Sequence, residues 1–209
     1  MKTLIVWMAA IPTTALILIG MVGSARSAPL VVNGSFEQPA NPPAPGNFRT
    51  IVPGQESASG FNGWKVVSGN IDVVDATAPL LGINWGTQGA ISGSQILDLN
   101  GDVGGRISQV ITTVAGTPYT LSFNYTNNPL GAGNEKASVD IINVANRAVL
   151  LTKSFTHTSA TLTNPDWKFL KLRFTATGTK TRLVFRSTSN LSDPSGGIIL
   201  DAVKALSGV

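Results

Sequence analysis

The chain has 209 residues, with 15 Lys and Arg against 11 Asp and Glu, one histidine and no cysteine. The missing thiols exclude disulfides, thiolate metal sites and cysteine nucleophiles, and the nearly balanced charge argues against nucleic acid as the main partner. With few acids and one imidazole, the composition suits a binding or structural domain better than a catalyst.

At the N-terminus, Lys2 precedes an apolar run from Thr3 to Gly23 that Pro12 interrupts, and the small, polar stretch Ser24-Ala25-Arg26-Ser27-Ala28 closes it. This is the pattern of a secretory signal peptide. Pro29 disfavours a cut after Ala28, so cleavage is expected after Ser27. An uncleaved anchor is the rival reading, because the run nearly reaches the roughly 20 residues a bilayer needs; Pro12 and the small-residue exit favour cleavage. Removing residues 1–27 takes away Lys2 and Arg26 and no acid, leaving 13 basic and 11 acidic residues. Residues 28–209 are then a single domain, secreted or held at the cell surface, with no membrane contact after cleavage.

The remainder consists of short β-type runs punctuated by Gly, Asn and Pro, without sustained helical periodicity. Strands are predicted at 30–36, 63–68, 70–75, 94–99, 105–113, 118–125, 136–143, 147–156, 167–177, 180–187 and 197–205. So many short strands imply an all-β, two-sheet sandwich. The clearest strand is Tyr119 to Tyr125, where large apolar residues alternate with small polar ones. The segment 39–60, with five prolines, is expected to be a long surface loop, as is 126–135. Gly178-Thr179 reads as a two-residue turn joining a hairpin, which would set Thr175 opposite Arg182, Arg173 opposite Val184 and Lys171 opposite Arg186. Four cations would then share one sheet face, where they are solvated, matched by acids or open to an anionic ligand.

Several motifs recur in a fixed order: Leu30-Val31-Val32-Asn33-Gly34-Ser35-Phe36-Glu37, Gly63-Trp64-Lys65-Val66, Gly69-Asn70-Ile71-Asp72-Val73-Val74, Leu97-Asp98-Leu99-Asn100-Gly101, Gly116-Thr117-Pro118-Tyr119 and Leu200-Asp201-Ala202-Val203. In these the chain resembles the exported domains called choice-of-anchor C, which belong with plant cell-wall domains of unknown function and the galactose-binding-like fold. The resemblance implies a jelly-roll β-sandwich and an association with polysaccharide. The chain stops at Leu206-Ser207-Gly208-Val209 without a hydrophobic tail, so retention outside the cell is expected from binding or assembly. In related carbohydrate-binding modules the first and last strands meet at a structural calcium ion; by that likeness Glu37 and Asp201 are metal candidates, with Asp72 a third. The competing reading is that Glu37 accepts turn amides and Asp201 caps a loop.

Sugar recognition needs an aromatic face with a few directed polar groups around it. Trp64 and Trp167 are read as core residues at strand starts. Trp85, within Gly82-Ile83-Asn84-Trp85-Gly86-Thr87, is the candidate platform, with Phe48 and Arg49, and Tyr125 with Asn127 and Asn128, on loops lining a rim. Asp98 and Asp102 flank Asn100-Gly101 and read as ordinary turn chemistry. His157 has no partner motif and reads as solvent-exposed. No nucleophile elbow, phosphate loop or zinc motif occurs. The expectation is a non-catalytic module binding extracellular or cell-surface polysaccharide, neutral or anionic. A self-assembling matrix protein with the same fold is the alternative.

Overall fold

A computed structural model describes residues 30–38, 47–83, 89–131, 134–189 and 196–208. The signal-peptide expectation for residues 1–27 and the platform candidate Trp85 lie outside them. Eleven strands form two antiparallel sheets: β1 (Phe48–Ile51), β2 (Lys65–Ser68), β3 (Ile71–Asp75), β4 (Gln95–Asp98), β5 (Arg106–Thr112), β6 (Pro118–Asn127), β7 (Glu135–Asn143), β8 (Val149–His157), β9 (Lys168–Thr175), β10 (Lys180–Ser187) and β11 (Ile198–Ser207). One sheet, A, has the order β1-β3-β4-β11-β6-β9; the other, B, has the order β2-β5-β10-β7-β8. One helical turn, α1 (Glu56–Ser59), ends at Gly60 in the left-handed region.

The core lies between the sheets because each strand alternates. On β6, Tyr119, Leu121 and Phe123 face inward to meet Leu183 and Phe185 of β10 and Val139 and Ile141 of β7. Ring contacts run from Phe61 through Phe36, Trp64, Phe185 and Phe123 to Phe155, at centroid distances of 5.0 to 6.4 Å. Such tilted and edge-on pairs add about 0.5–1.5 kcal/mol each beyond burial. Trp64 is therefore part of the core. Trp167 packs against a smaller cluster of Val74, Ile96 and Ile199 on the outer face of sheet A, and its Nε1 donates to the Gly89 carbonyl at 3.1 Å.

Three expectations are corrected. Residues 30–36 form a turn rather than a strand, because Asn33 and Phe36 adopt positive φ, 52° and 59°. That turn drives Phe36 into the core and fixes Trp64, whose Nε1 donates to the Asn33 carbonyl at 3.0 Å. The proline-rich segment hides a strand, β1, which starts after the last clustered proline and adds to the edge of β3. Finally, β9 and β10 are not a hairpin. β9 pairs with β6 in sheet A and β10 pairs with β5 and β7 in sheet B, so the chain crosses between sheets at Ala176 to Thr179. Leu172 and Phe174 on one side and Leu183 and Phe185 on the other then fill one core from opposite sheets, which a hairpin could not do. Lys171 and Arg173 consequently lie on a different sheet from Arg182 and Arg186.

Candidate functional site

The outward face of sheet A carries a polar row that sequence alternation places there. Thr50 of β1, Asp72 of β3, Asp98 of β4 and Ile199 of β11 are successive cross-strand partners, and residues directly opposite share a face. The next row, Phe48 opposite Val74 opposite Ile96, is apolar. From these rows Phe48, Asp72, Val74, Asp98 and Ile199 floor a cleft of about 170 Å³. Leu80, Leu81 and Ile83 wall one side, and Asn100, Gly101 and Asp102 with Asn128 wall the other. Leu80 and Ile83 close their turn by two mutual backbone hydrogen bonds, which holds Leu81 out at 71% exposure. The opposite wall is held by Asn70: its Oδ1 accepts from Val103 N at 3.1 Å and its Nδ2 donates to Asp102 Oδ2 at 3.1 Å.

Burial governs the chemistry of the floor. Asp98 is 3% exposed, and its carboxyl is pushed up to about 8, chiefly by desolvation and further by the charges of Asp72 and Glu135. Hydrogen bonds from Asn100 N at 2.9 Å and Asn128 Nδ2 at 3.0 Å oppose that rise without cancelling it. Asp72 rises to about 6 through burial and the charge of Asp102, against a hydrogen bond from Thr50 Oγ1 at 2.7 Å. At neutral pH the deepest carboxyl is thus protonated and able both to donate and to accept. Asn100 is 3% exposed, and neither its Oδ1 nor its Nδ2 has a partner among the described residues. A buried, unpaired amide costs about 1–3 kcal/mol, and both polar atoms of this one are sealed from solvent.

The predicted sugar residues divide between this cleft and other places. Phe48, 47% exposed, and Asn128 line it. Arg49 points the other way, since neighbours on a strand face opposite sides and it pairs in the core-facing row with Val73. Tyr125 and Asn127 do not form a rim. Tyr125 packs inward against Phe123 and Phe155. Asn127 is 1% exposed, and its Oδ1 meets His157 Nδ1 at 2.5 Å and accepts from Ala160 N at 3.1 Å. His157 is buried rather than solvated: its Nε2 lies 2.9 Å from the Asp166 carbonyl, and burial lowers its pKa. Asp98, Asn100 and Asp102, passed over as turn residues, are the cleft's main polar groups. A carboxylate set between Leu97 and Leu99 was the available signal.

Of the metal candidates, Glu37 and Asp201 come together around residues 91–95, while Asp72 lies in the cleft. Glu37 Oε1 accepts from Ser94 N at 2.9 Å and Gln95 N at 2.7 Å, and its Oε2 accepts from Ser94 Oγ at 3.0 Å. Asp201 Oδ2 accepts from Ser92 N at 2.9 Å. Its carboxyl is pushed up to about 7 by burial, with the nearby charge of Glu37 adding to the rise. Gln95 Nε2 donates to the Glu37 carbonyl at 3.2 Å, and its buried Oε1 has no partner. Glu37 thus accepts turn amides, as the competing reading expected, and among the described residues no three His, Cys, Asp or Glu side chains gather as a metal group. The turn at residues 30–36 is tied to β11: Val203 N donates to the Gly34 carbonyl at 2.8 Å and Leu30 N to the Ala205 carbonyl at 2.9 Å.

Two antiparallel sheets in this arrangement make the molecule a jelly-roll β-sandwich. Similar solved structures include TmCBM61 in complex with beta-1,4-galactotriose (15% identity, TM-score 0.50, 87% of this chain and 100% of that one). A family 16 carbohydrate-binding module is 16% identical, with a TM-score of 0.49 over 85% of this chain and 99% of that one. The arabinose-bound α-L-arabinofuranosidase MgGH51 is 15% identical, with a TM-score of 0.50 over 87% of this chain and 27% of that one. At these identities the likeness is one of fold. Residues 29–206 match the family described as protein of unknown function (DUF642), and the chain belongs to that family. None of the curated proteins matches the sequence. Among the described residues, no helix is long and apolar enough to cross a membrane.

Proposed function

We propose that this protein is a secreted, non-catalytic module that binds extracellular or cell-surface polysaccharide, seating a short stretch of the sugar chain in the Phe48–Asp98–Asn128 cleft. The observation that carries this reading is a cleft in which an exposed aromatic rim, Phe48, stands over a protonated Asp98 flanked by Asp102 and Asn128. Sugar hydroxyls donate and accept at once, and the neutral Asp98 carboxyl with the Asn128 amide beside it answers both roles. Phe48 offers the flat apolar surface that a pyranose ring covers. The fold likeness to a module solved with beta-1,4-galactotriose supports the same class. Export, and membership of the narrower choice-of-anchor C group, rest on the N-terminal pattern and the motif order.

The pair Glu37 and Asp201, with the Gln95 amide oxygen, would hold a calcium ion. Bound there, the ion would offset two neighbouring carboxylates and clamp the first described turn to β11, a structural service in a chain without disulfides. The cleft is tested by titrating the full chain with β-linked galacto-, gluco- and xylo-oligosaccharides. Binding that Phe48→Ala weakens about tenfold, the ratio equivalent to one lost stacking contact of about 1.4 kcal/mol, would support the reading. Concentration-dependent oligomers with no glycan bound would overturn it in favour of matrix assembly, and release of reducing ends from a bound polymer would overturn its non-catalytic part.

A further inference from the structure

The outward face of sheet B is strongly basic, although the chain as a whole is nearly neutral. Its register sets Arg106 opposite Arg186 and Lys65 opposite Ser108, and Arg182 lies between Val110 and Ile142. Lys180, two residues from Arg182, shares that face, as does Lys136, two residues from Ser138. Asp140 is the only acid at the outward positions of these strands, and it is engaged by Arg186 at 3.3 Å and by Thr152 Oγ1 at 2.8 Å. None of the other five cations has an ion-pair partner among the described residues. Arg106 Nε is buried without an acceptor. Two arginines directly opposite one another repel, so the sheet keeps this pair at some expense of stability.

At one end of the face a recess of about 360 Å³ is lined by Ile142, Asn143, Val144, Arg147 and Arg182. Arg147 closes the β7–β8 turn at φ 61°, a left-handed conformation that disfavours a long side chain and suits glycine. The turn therefore places a guanidinium where its backbone alone would select a smaller residue. Arg182 to Arg186 spans about 13 Å along β10, so one extended polyanion can meet the recess and the Arg106–Arg186 pair together.

We propose that this face is a second binding site, for a carboxylated polysaccharide, with one uronate carboxylate seated between Arg147 and Arg182 and the chain running along β10 to Arg186 and Arg106. Guanidinium forks pair bidentately with carboxylates. The strands present no aromatic side chain on this face, so a single-stranded nucleic acid finds no stacking platform. The choice of a polysaccharide among polyanions rests on the sugar-binding reading above; the site itself does not involve the cleft, which lies on the opposite side of the sandwich.

The test compares the full chain on polygalacturonate, on its fully methyl-esterified form and on a single-stranded DNA oligonucleotide. Binding to polygalacturonate should be at least tenfold tighter than to the ester and should weaken steeply with added salt. The double substitution Arg147→Gly with Arg182→Ser should weaken it about tenfold or more. Arg147→Gly alone should leave the melting temperature unchanged or raised, since glycine relieves the strained φ, which separates lost binding from lost folding. Equal binding to acid and ester, full binding by the double variant, or no binding to polygalacturonate would each overturn the proposal, and DNA bound as tightly as polygalacturonate would overturn the ligand class. The two sites fail separately. If the cleft reading is wrong, Phe48→Ala changes nothing while salt-sensitive retention persists; if the basic face is inert, neutral oligosaccharides still bind.

Discussion

Replacing Asp98 by Asn should flatten the pH dependence of stability. Asp98 is buried opposite Asp72 and has a folded-state pKa of about 8 against an unfolded value of 3.8. The folded state therefore holds this proton more tightly than the unfolded chain does. Above pH 4 the unfolded chain releases it first, so stability falls as pH rises, by about 1.4 kcal/mol per unit, until the folded group also ionises near pH 8. The accumulated loss is roughly 5–6 kcal/mol, which at about 2–4 °C per kcal/mol for a domain of this size corresponds to a fall in Tm of about 10–20 °C between pH 4 and pH 8. Asp72, raised to about 6, adds a smaller loss of the same sign. His157, whose pKa is lowered by burial, acts oppositely: its contribution is lost as pH falls below 6.5. The amide introduced by Asp98→Asn would keep an acceptor for Asn100 N and cannot ionise, while the His157 and Asp72 contributions persist in both proteins. Thermal melts at constant ionic strength from pH 4 to pH 9 should show the variant's curve flatter by about that margin and its Tm above wild type at pH 8. Parallel curves would refute the assignment of a protonated carboxyl to the cleft floor.

For the carboxylate pair at the chain ends, melts with calcium at about 100 times its Kd should gain about 2.7 kcal/mol over melts with chelator, and Glu37→Gln should abolish most of the difference; identical midpoints would rule out a structural ion. Asn127→Ala should destabilise the fold by about 1–3 kcal/mol by stranding His157 Nδ1 and the Ala160 amide, with oligosaccharide affinity unchanged in titration. A binding loss at full stability would instead return Asn127 to the sugar site.

Period-2 alternation made most strands legible. Leu121 and Phe123, Leu183 and Phe185, and Val139 and Ile141 all announce one buried face, and ten of the predicted runs overlap the strands observed. Partnership between strands was not legible in the same way. Gly178-Thr179 reads as a two-residue hairpin turn, yet a chain that crosses between sheets needs the same local chemistry, and only the shared core decides between them. The 30–36 run failed for a local reason: Val31 and Val32 favour extension, but Asn33 and Phe36 adopt positive φ because the turn is held by Gln38 N on Asn33 Oδ1 at 3.1 Å and by Val203 N on the Gly34 carbonyl.

The binding residues were harder to read because site chemistry here depends on burial rather than on residue type. Asp98 and Asp102 look alike in sequence, four residues apart beside Asn100-Gly101. One is sealed in a strand beneath Asn128 with its carboxyl driven to about 8, and the other lies on an exposed wall tied to Asn70. Charge behaves likewise. The 13 basic and 11 acidic residues after position 27 nearly cancel, yet the sandwich sends Asp72, Asp98 and Asp102 to the outside of sheet A and Arg106, Arg182 and Arg186 to the outside of sheet B. A near-zero sum therefore does not exclude a locally cationic face. Because each strand alternates independently and the two sheets face opposite ways, the separation exists only once β9 and β10 are assigned to different sheets. The hairpin would have put Lys171 and Arg173 beside Arg182 and Arg186; the crossover instead leaves the outside of sheet B as a cationic surface set against Asp140 alone.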